Sequence, residues 1–284
     1  MMLRCALIQT ANAYPAMPAR LEDLAQLKPK LEELRRCNAA HNLGLAAEAK
    51  GMGARVVCLG QLFAAPYFAS SPDPLWLALA EDALKGPTVK EVCRAAYENA
   101  LIVVAPLYEL DAGSRYDAAV VVDERGVVLG RVRRARVRAE EKTLFSSGAP
   151  EPRVFETSAG RIGVVLGYDR HYDAATRALA RAGADVIFAP AAESGGKARR
   201  LWEPESLADA ARHRVFIGAA NRRGAEKPFA AEYFGLSHFA GPDGLKLANL
   251  SQHPELVVSD LDVEALRRPD PSGWDLRRDD VPYV

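Results

Sequence analysis

The sequence predicts an α/β fold in which mixed sheets are flanked by helices, and three observations carry that reading. Short runs rich in β-branched and aromatic residues alternate with segments that repeat Leu and Ala at helical spacing. Two reversal signals, "DERG" at 123–126 and "GPDG" at 241–244, interrupt the alternation, so some neighbouring strands must run antiparallel. Most of the strand-like runs are apolar on both faces, as strands covered on both sides must be.

Taken in order, strands are predicted over 4–10, 54–60, 101–109, 116–134 (a hairpin folded at "DERG"), 161–167, 184–190, 214–222 and 233–244. Helices are predicted over 20–52, 87–99, 172–183 and 202–213, where charges lie opposite the Leu/Ala stripe. No linker, low-complexity tract or repeat precedes residue 262, so 1–284 reads as a single domain. The stretch 265–284 is polar and proline-containing, and it is expected to run as an extended tail over the surface or over a partner subunit.

Composition narrows the function classes. A chain of 284 residues, 49% hydrophobic, can bury a large core. Its 37 basic residues balance 37 acidic ones, which removes the generic electrostatic case for a nucleic-acid or membrane-surface partner. Cys5, Cys37, Cys58 and Cys93 have neither metal-ligand nor redox spacing, so no metal or cofactor is expected. The N-terminal "MMLRCALIQTANAY" lacks the apolar core of a signal peptide and no window approaches about 18 consecutive apolar residues, so a cytoplasmic location is expected.

Residues 161–190 spell a strand, a sharp turn, a helix and a second strand, with Gly167 ending the first strand. This segment is one of several whose order carries a resemblance. "CALIQT", "GARVVCLGQLFAAPYF", "GVVLGRVRR", "EKTLFSSG", "GYDRHYDAATRALARAGADVIFAP" and "FGLSHFAGPDG" follow one another from residue 3 onward. Together they resemble the nitrilase, or carbon–nitrogen hydrolase, superfamily, nearest its N-carbamoyl-amide hydrolases of the carbamoylputrescine amidase type. The resemblance implies a four-layer αββα sandwich, two mixed sheets with helices on both outer faces.

It also implies a chemistry. In that superfamily a cysteine thiolate attacks the carbonyl or nitrile carbon, a glutamate takes and returns the proton, and a lysine stabilises the oxyanion. Carried onto this sequence, the glutamate falls on Gln61, the lysine on Arg134 and the cysteine on Gly167. A carboxamide has no proton to exchange near neutral pH. A guanidinium keeps the charge but replaces a compact ammonium by a planar fork. Glycine offers no nucleophile at all. The triad is therefore expected to be degenerate.

Glu141, Asp169 and His171 are the remaining pocket candidates. Glu141 matches an additional family glutamate, and Asp169 and Arg177 match positions that follow the cysteine. Asp173 and Ala174 stand where the family usually has Pro-Glu, Asp117 replaces a frequent asparagine, and the link from Arg134 to Glu141 is short. Gln61, Arg134 and Glu141 are expected to form a paired polar cluster filling the site, with ligand binding as the other reading. Gly167 serves either a tight turn or the close approach of another side chain. Asp169 and His171 could activate a water, although a histidine on such a turn more often plays a structural part. The run "RVRRARVR" (131–138) reads as a strand with alternating exposed arginines rather than a phosphate site.

These readings point to a non-catalytic binding, regulatory or assembly subunit, a pseudoenzyme. The alternative is a hydrolase of amide or N-carbamoyl bonds working through a rearranged site. A homodimer, or a heteromer with a paralogue, is expected through 172–183 and 202–213. A small carboxylate or carbamoyl ligand is the expected occupant if the site is open.

Overall fold

A computed structural model describes residues 2–270 together with 272 and 273. Its strands and helices follow in chain order. They are β1 (Met2–Ile8), α1 (Leu31–Gly51), β2 (Val56–Cys58), α2 (Pro87–Asn99), β3 (Ile102–Asp111), β4 (Ser114–Val122), β5 (Val128–Arg133) and β6 (Val154–Thr157). They continue with β7 (Gly160–Val164), α3 (Asp173–Arg181), β8 (Val186–Ala191), α4 (Gly196–His213), β9 (Phe216–Asn221), β10 (Arg223–Glu226), β11 (Ala231–Phe234), β12 (His238–Ala240) and β13 (Leu256–Asp262).

One sheet has the order β13-β1-β2-β3-β4-β5 and the other β12-β9-β8-β7-β6, with β10-β11 as a separate ribbon. Both are mixed. In the first, β1, β2 and β3 run parallel while β13, β4 and β5 pair antiparallel. In the second, β7, β8 and β9 run parallel between antiparallel β6 and β12.

The strand period of two explains the layers. Leu3, Cys5 and Leu7 of β1, Val56 and Cys58 of β2 and Val104 of β3 meet Ile162, Val164, Phe188 and Phe216 of the second sheet in one buried cluster. Their neighbours Ala6, Ile8, Val57 and Val103 face the other way, against Ala46 and Ala49 of α1 and Val92 and Ala96 of α2. On the far side Ile187, Ala189 and Ile217 pack on Leu179 and Ala180 of α3 and Ala210 of α4. The result is the αββα sandwich that the resemblance implies.

Several expectations need correction. The helix expected over 20–52 is two elements, because Pro29, which cannot donate a backbone hydrogen bond, sits in a 3-10 segment (Leu21–Lys30) ahead of α1. The helix α4 begins six residues before the expected 202, since its first turns are charged and carry no apolar period. Strands β6, β10 and β13 are short or half-polar and escaped the pattern; β13 closes the first sheet against β1. The arginine run 131–138 is not one exposed strand: β5 ends at Arg133, and Arg134 is buried. In the tail 265–284, a short 3-10 helix spans Val263–Arg267, and residues 271 and 274–284 lie outside those described. Among the described residues no helix is long and apolar enough to cross a membrane.

Candidate functional site

Gly167 opens the turn after β7, at the head of a short 3-10 helix, Gly167–His171. Its φ of +48° lies in the left-handed region that favours glycine. A Cβ at this position would stand 2.6 Å from Gln61 Nε2 and 3.3 Å from both Cδ and Oε1 of the same side chain. The carboxamide of Gln61 thus lies across the place where a residue-167 side chain would begin. Both reasons for a glycine, the turn and the close approach, hold at once.

Gln61 arrives there on the loop after β2, and that loop is tied down from beneath. Arg222 donates from Nη1 to Gln61 O at 2.8 Å and from Nη2 to Ala65 O at 3.0 Å. Arg222 is itself paired with Glu226, whose Oε2 accepts the Tyr67 N–H at 2.7 Å. Glu226 ends β10 and Arg222 precedes that strand, four positions apart but not on a helix, so no charge periodicity announces the pair. Leu62, next to Gln61, adopts φ +50° as the loop turns.

From Gln61 the polar contacts continue as a chain. Gln61 Nε2 donates to the Asp117 carboxylate. Arg134 follows β5, and its Nε lies 3.2 Å from the same Asp117 Oδ2. Its Nη1 lies 2.8 Å from Glu141 Oε2, and its guanidinium carbon sits 5.0 Å above the Phe145 ring. Both Arg134 approaches are ion contacts without hydrogen-bond alignment. Glu141 Oε1 accepts from the Tyr67 hydroxyl at 3.0 Å and from Arg138 Nη2 at 2.9 Å. Gln61, Asp117 and Arg134 are 1% exposed and Glu141 is 0% exposed, so the site is filled by its neighbours.

The electrostatics follow from that burial. Loss of water pushes Asp117 up to about 6, against the pull of Arg134 and of the Gln61 amide. Burial also works against the charge on Arg134, but Asp117 and the other anionic neighbours outweigh it and hold the guanidinium protonated. The Tyr67 phenol is pushed well above its ordinary range by the same desolvation. Asp117 is thus driven toward its neutral form, and it is covered by Gln61 and Arg134. Of the cysteines, burial drives Cys5 and Cys58 upward, and Cys37 and Cys93 sit on α1 and α2.

The structure brings together Gln61, Arg134, Gly167 and Glu141, and it gives Asp169 and His171 other tasks. Asp169 accepts the backbone N–H groups of Ala135 and Arg136 at 2.6 and 2.8 Å, which fixes the short link after Arg134. His171 belongs to a second cluster, with Nδ1 2.9 Å from Glu205 Oε2 and Nε2 3.3 Å from Glu193 Oε1. Hydrogen bonds to Glu193 and Glu205 raise it to about 9, so it is a cation at neutral pH and no base. Arg170 joins from below, 3.1 Å from Glu205 and 4.2 Å over the Trp202 ring. Arg177 contacts only the rim, 3.9 Å from Asp173. Sequence reading missed Tyr67, Arg138, Arg222, Glu226, Glu193 and Glu205. Only Arg138 carried a signal, as part of the arginine run.

Comparison with known proteins agrees with this architecture. The Carbon-nitrogen hydrolase family model matches residues 23–268. The chain is 26% identical to the beta-ureidopropionase of Arabidopsis thaliana, over 94% of this chain and 68% of that one. It is 26% identical to the N-carbamoylputrescine amidase of the same plant over 86% and 87%. With a nitrilase of Pyrococcus abyssi it shares 30% identity over 78% and 82%. The crystal structure of a carbon-nitrogen hydrolase from Helicobacter pylori G27 superposes with a TM-score of 0.79 at 23% identity, covering 94% of this chain and 91% of that one. The chain belongs to the carbon–nitrogen hydrolase family.

Proposed function

We propose that this chain is a non-catalytic member of its family, a regulatory or assembly subunit whose reaction site is packed with its own side chains. One observation carries the reading: the Gln61 carboxamide occupies the start of the residue-167 side chain. Position 167 therefore supplies no nucleophile, and position 61 supplies a neutral amide where the family chemistry needs a base. Glu141 and Asp169, the carboxylates that could have handled a water, are committed to Arg134, Arg138 and Tyr67 and to two backbone N–H groups.

A ligand-holding role has one point in its favour. The amidase from Nesterenkonia sp. AN1 has been solved in complex with acrylamide as a double mutant carrying glutamine for a glutamate and alanine for a cysteine. Those replacements are of the same kind as Gln61 and Gly167. Against a small carboxylate or carbamoyl ligand here, Arg134 already faces two carboxylates and is 1% exposed. Assembly fits the surface better, since Tyr168, Tyr172 and Leu201 are exposed beside α3 and on α4. A homodimer or a heteromer with a paralogue through these helices is the arrangement that this surface supports.

Ammonia release from a panel of amides, nitriles and N-carbamoyl amines tests the proposal. The unmodified protein should stay at the no-protein background. Turnover that disappears in Glu141→Gln or Asp169→Asn would install the rearranged-site hydrolase instead.

A further inference from the structure

We propose that Asp173, Asp209 and His213 form a Zn²⁺ site that joins the start of α3 to the end of α4. Asp209 and His213 stand one helical turn apart, so their side chains share a face of α4. Asp173, the first residue of α3, meets that face: its Oδ1 lies 2.5 Å from His213 Nε2. One donor atom from each of the three lies within 4.8 Å of the others. Ligands held at ~2.0–2.2 Å around a tetrahedral ion stand roughly 3.3–3.6 Å apart, so binding would open the Asp173–His213 contact by about 1 Å and draw the wider-spaced donors inward by a similar amount, within reach of side-chain rotation.

The set is built rather than scattered over a surface. His213 and Asp209 are buried, and the Thr176 hydroxyl bonds Asp209, the kind of second contact that orients a metal-binding carboxylate. Asp173 is 41% exposed, which leaves an entry path and a fourth position for water. An imidazole nitrogen with two carboxylate oxygens suits Zn²⁺, whereas Ca²⁺ and Mg²⁺ prefer oxygen alone. The two carboxylates face each other, and Asp209 is pushed upward by burial and by the Asp173 charge.

At present the Arg212 Nη1 spans them, at 3.0 Å from Asp209 and 3.4 Å from Asp173. Arg212 is half exposed, so it leaves the carboxylates by swinging into water, and Arg177 touches only the outer edge of Asp173. The charge balance of the empty cluster is thus kept by side chains that a dication can displace. Of the family-matched positions only Arg177 comes near, at the outer edge of Asp173, and the other neighbours are Thr176 and Arg212. The cysteine and histidine spacings did not announce the site, because Asp173 lies far from the α4 pair in the chain and only the α3–α4 packing unites them.

The test is calorimetric titration and equilibrium dialysis of the full, tag-free chain with zinc chloride. One Zn²⁺ per chain is expected, with saturation below ~100 μM and a rise in melting temperature. His213→Gln should weaken binding at least ~10-fold. Because His213 is buried, the exposed Asp173→Asn serves as a second variant with the same expected loss, while the surface variant His41→Gln should bind as the unmodified chain does. Replacing zinc by Co²⁺ should give the intense visible absorption of a tetrahedral ion. Absence of saturable binding, or equal affinity in Asp173→Asn and the unmodified protein, overturns the site.

Discussion

Two polar clusters flank the turn at 167–171, and they differ in what surrounds them. The inner one, Gln61–Asp117–Arg134–Glu141, is wholly desolvated. The outer one, His171 between Glu193 and Glu205, keeps between 18% and 26% of each side chain in water. In the inner cluster burial dominates, so a carboxyl is driven toward its neutral form even beside an arginine. In the outer cluster the carboxylates dominate, so the imidazole is driven toward its charged form. Burial therefore works against the Asp117 charge in the inner set, whereas the carboxylates of the outer set favour the charge on His171.

The sharpest way to break the contrast is to remove one partner from each. Arg134→Met leaves Asp117 and Glu141 buried without their shared cation, and denaturant unfolding should show a loss of about 3–5 kcal/mol. Glu193→Gln, where water replaces part of the lost pairing to His171, should cost about 1 kcal/mol. Equal losses would mean that the inner cluster is as well hydrated as the outer.

Stability against pH separates them next. His171 has a raised folded pKa, so its contribution is complete below about 6.5 and is lost as pH climbs to about 9, on the order of 2 kcal/mol. His171→Gln should flatten that alkaline fall. Asp117 is also raised, but as an acid its folded form holds a proton that the unfolded form has released. Its contribution therefore favours the fold at low pH and is lost between about 4 and about 6. Asp117→Asn should remove that acid-side slope, by a similar amount, and leave the alkaline limb unchanged. An Asp117→Asn profile that parallels the unmodified protein across pH 4–6 would rule out the inner-cluster assignment.

The smallest effect expected is Tyr67→Phe. It deletes one hydrogen bond to Glu141, which still has Arg134 and Arg138, so the melting curve should move by about 1 kcal/mol or less.

What was legible in the sequence follows the same division. The parallel strands announced themselves because residues such as Ile187 and Phe188 face apolar layers on both sides. Gly167 was legible as a position with two possible reasons, and the structure supplies both. The polar half was less legible. Arg134 is buried while Arg131 and Arg133, its near neighbours, reach Glu109 and Asp111 at the half-exposed edge of the sheet, and no one-dimensional pattern distinguishes them. Arg222 holds the Gln61 loop across 161 residues of chain, so its role exists only once the two sheets are packed face to face. Short strands such as β6 and β10 lack the length to show a period.

The central claim is that Gln61 fills the place of a residue-167 side chain, and a double-mutant cycle measures it. Gly167→Ala alone pays for the left-handed backbone and for the 2.6 Å approach to Gln61 Nε2, whereas in a Gln61→Ala background only the backbone cost remains. Unfolding free energies of the four proteins should show the alanine at 167 costing at least ~1 kcal/mol less when Gln61 is absent. Additivity within ~0.5 kcal/mol would place the Gln61 carboxamide elsewhere and remove the ground for a self-filled site.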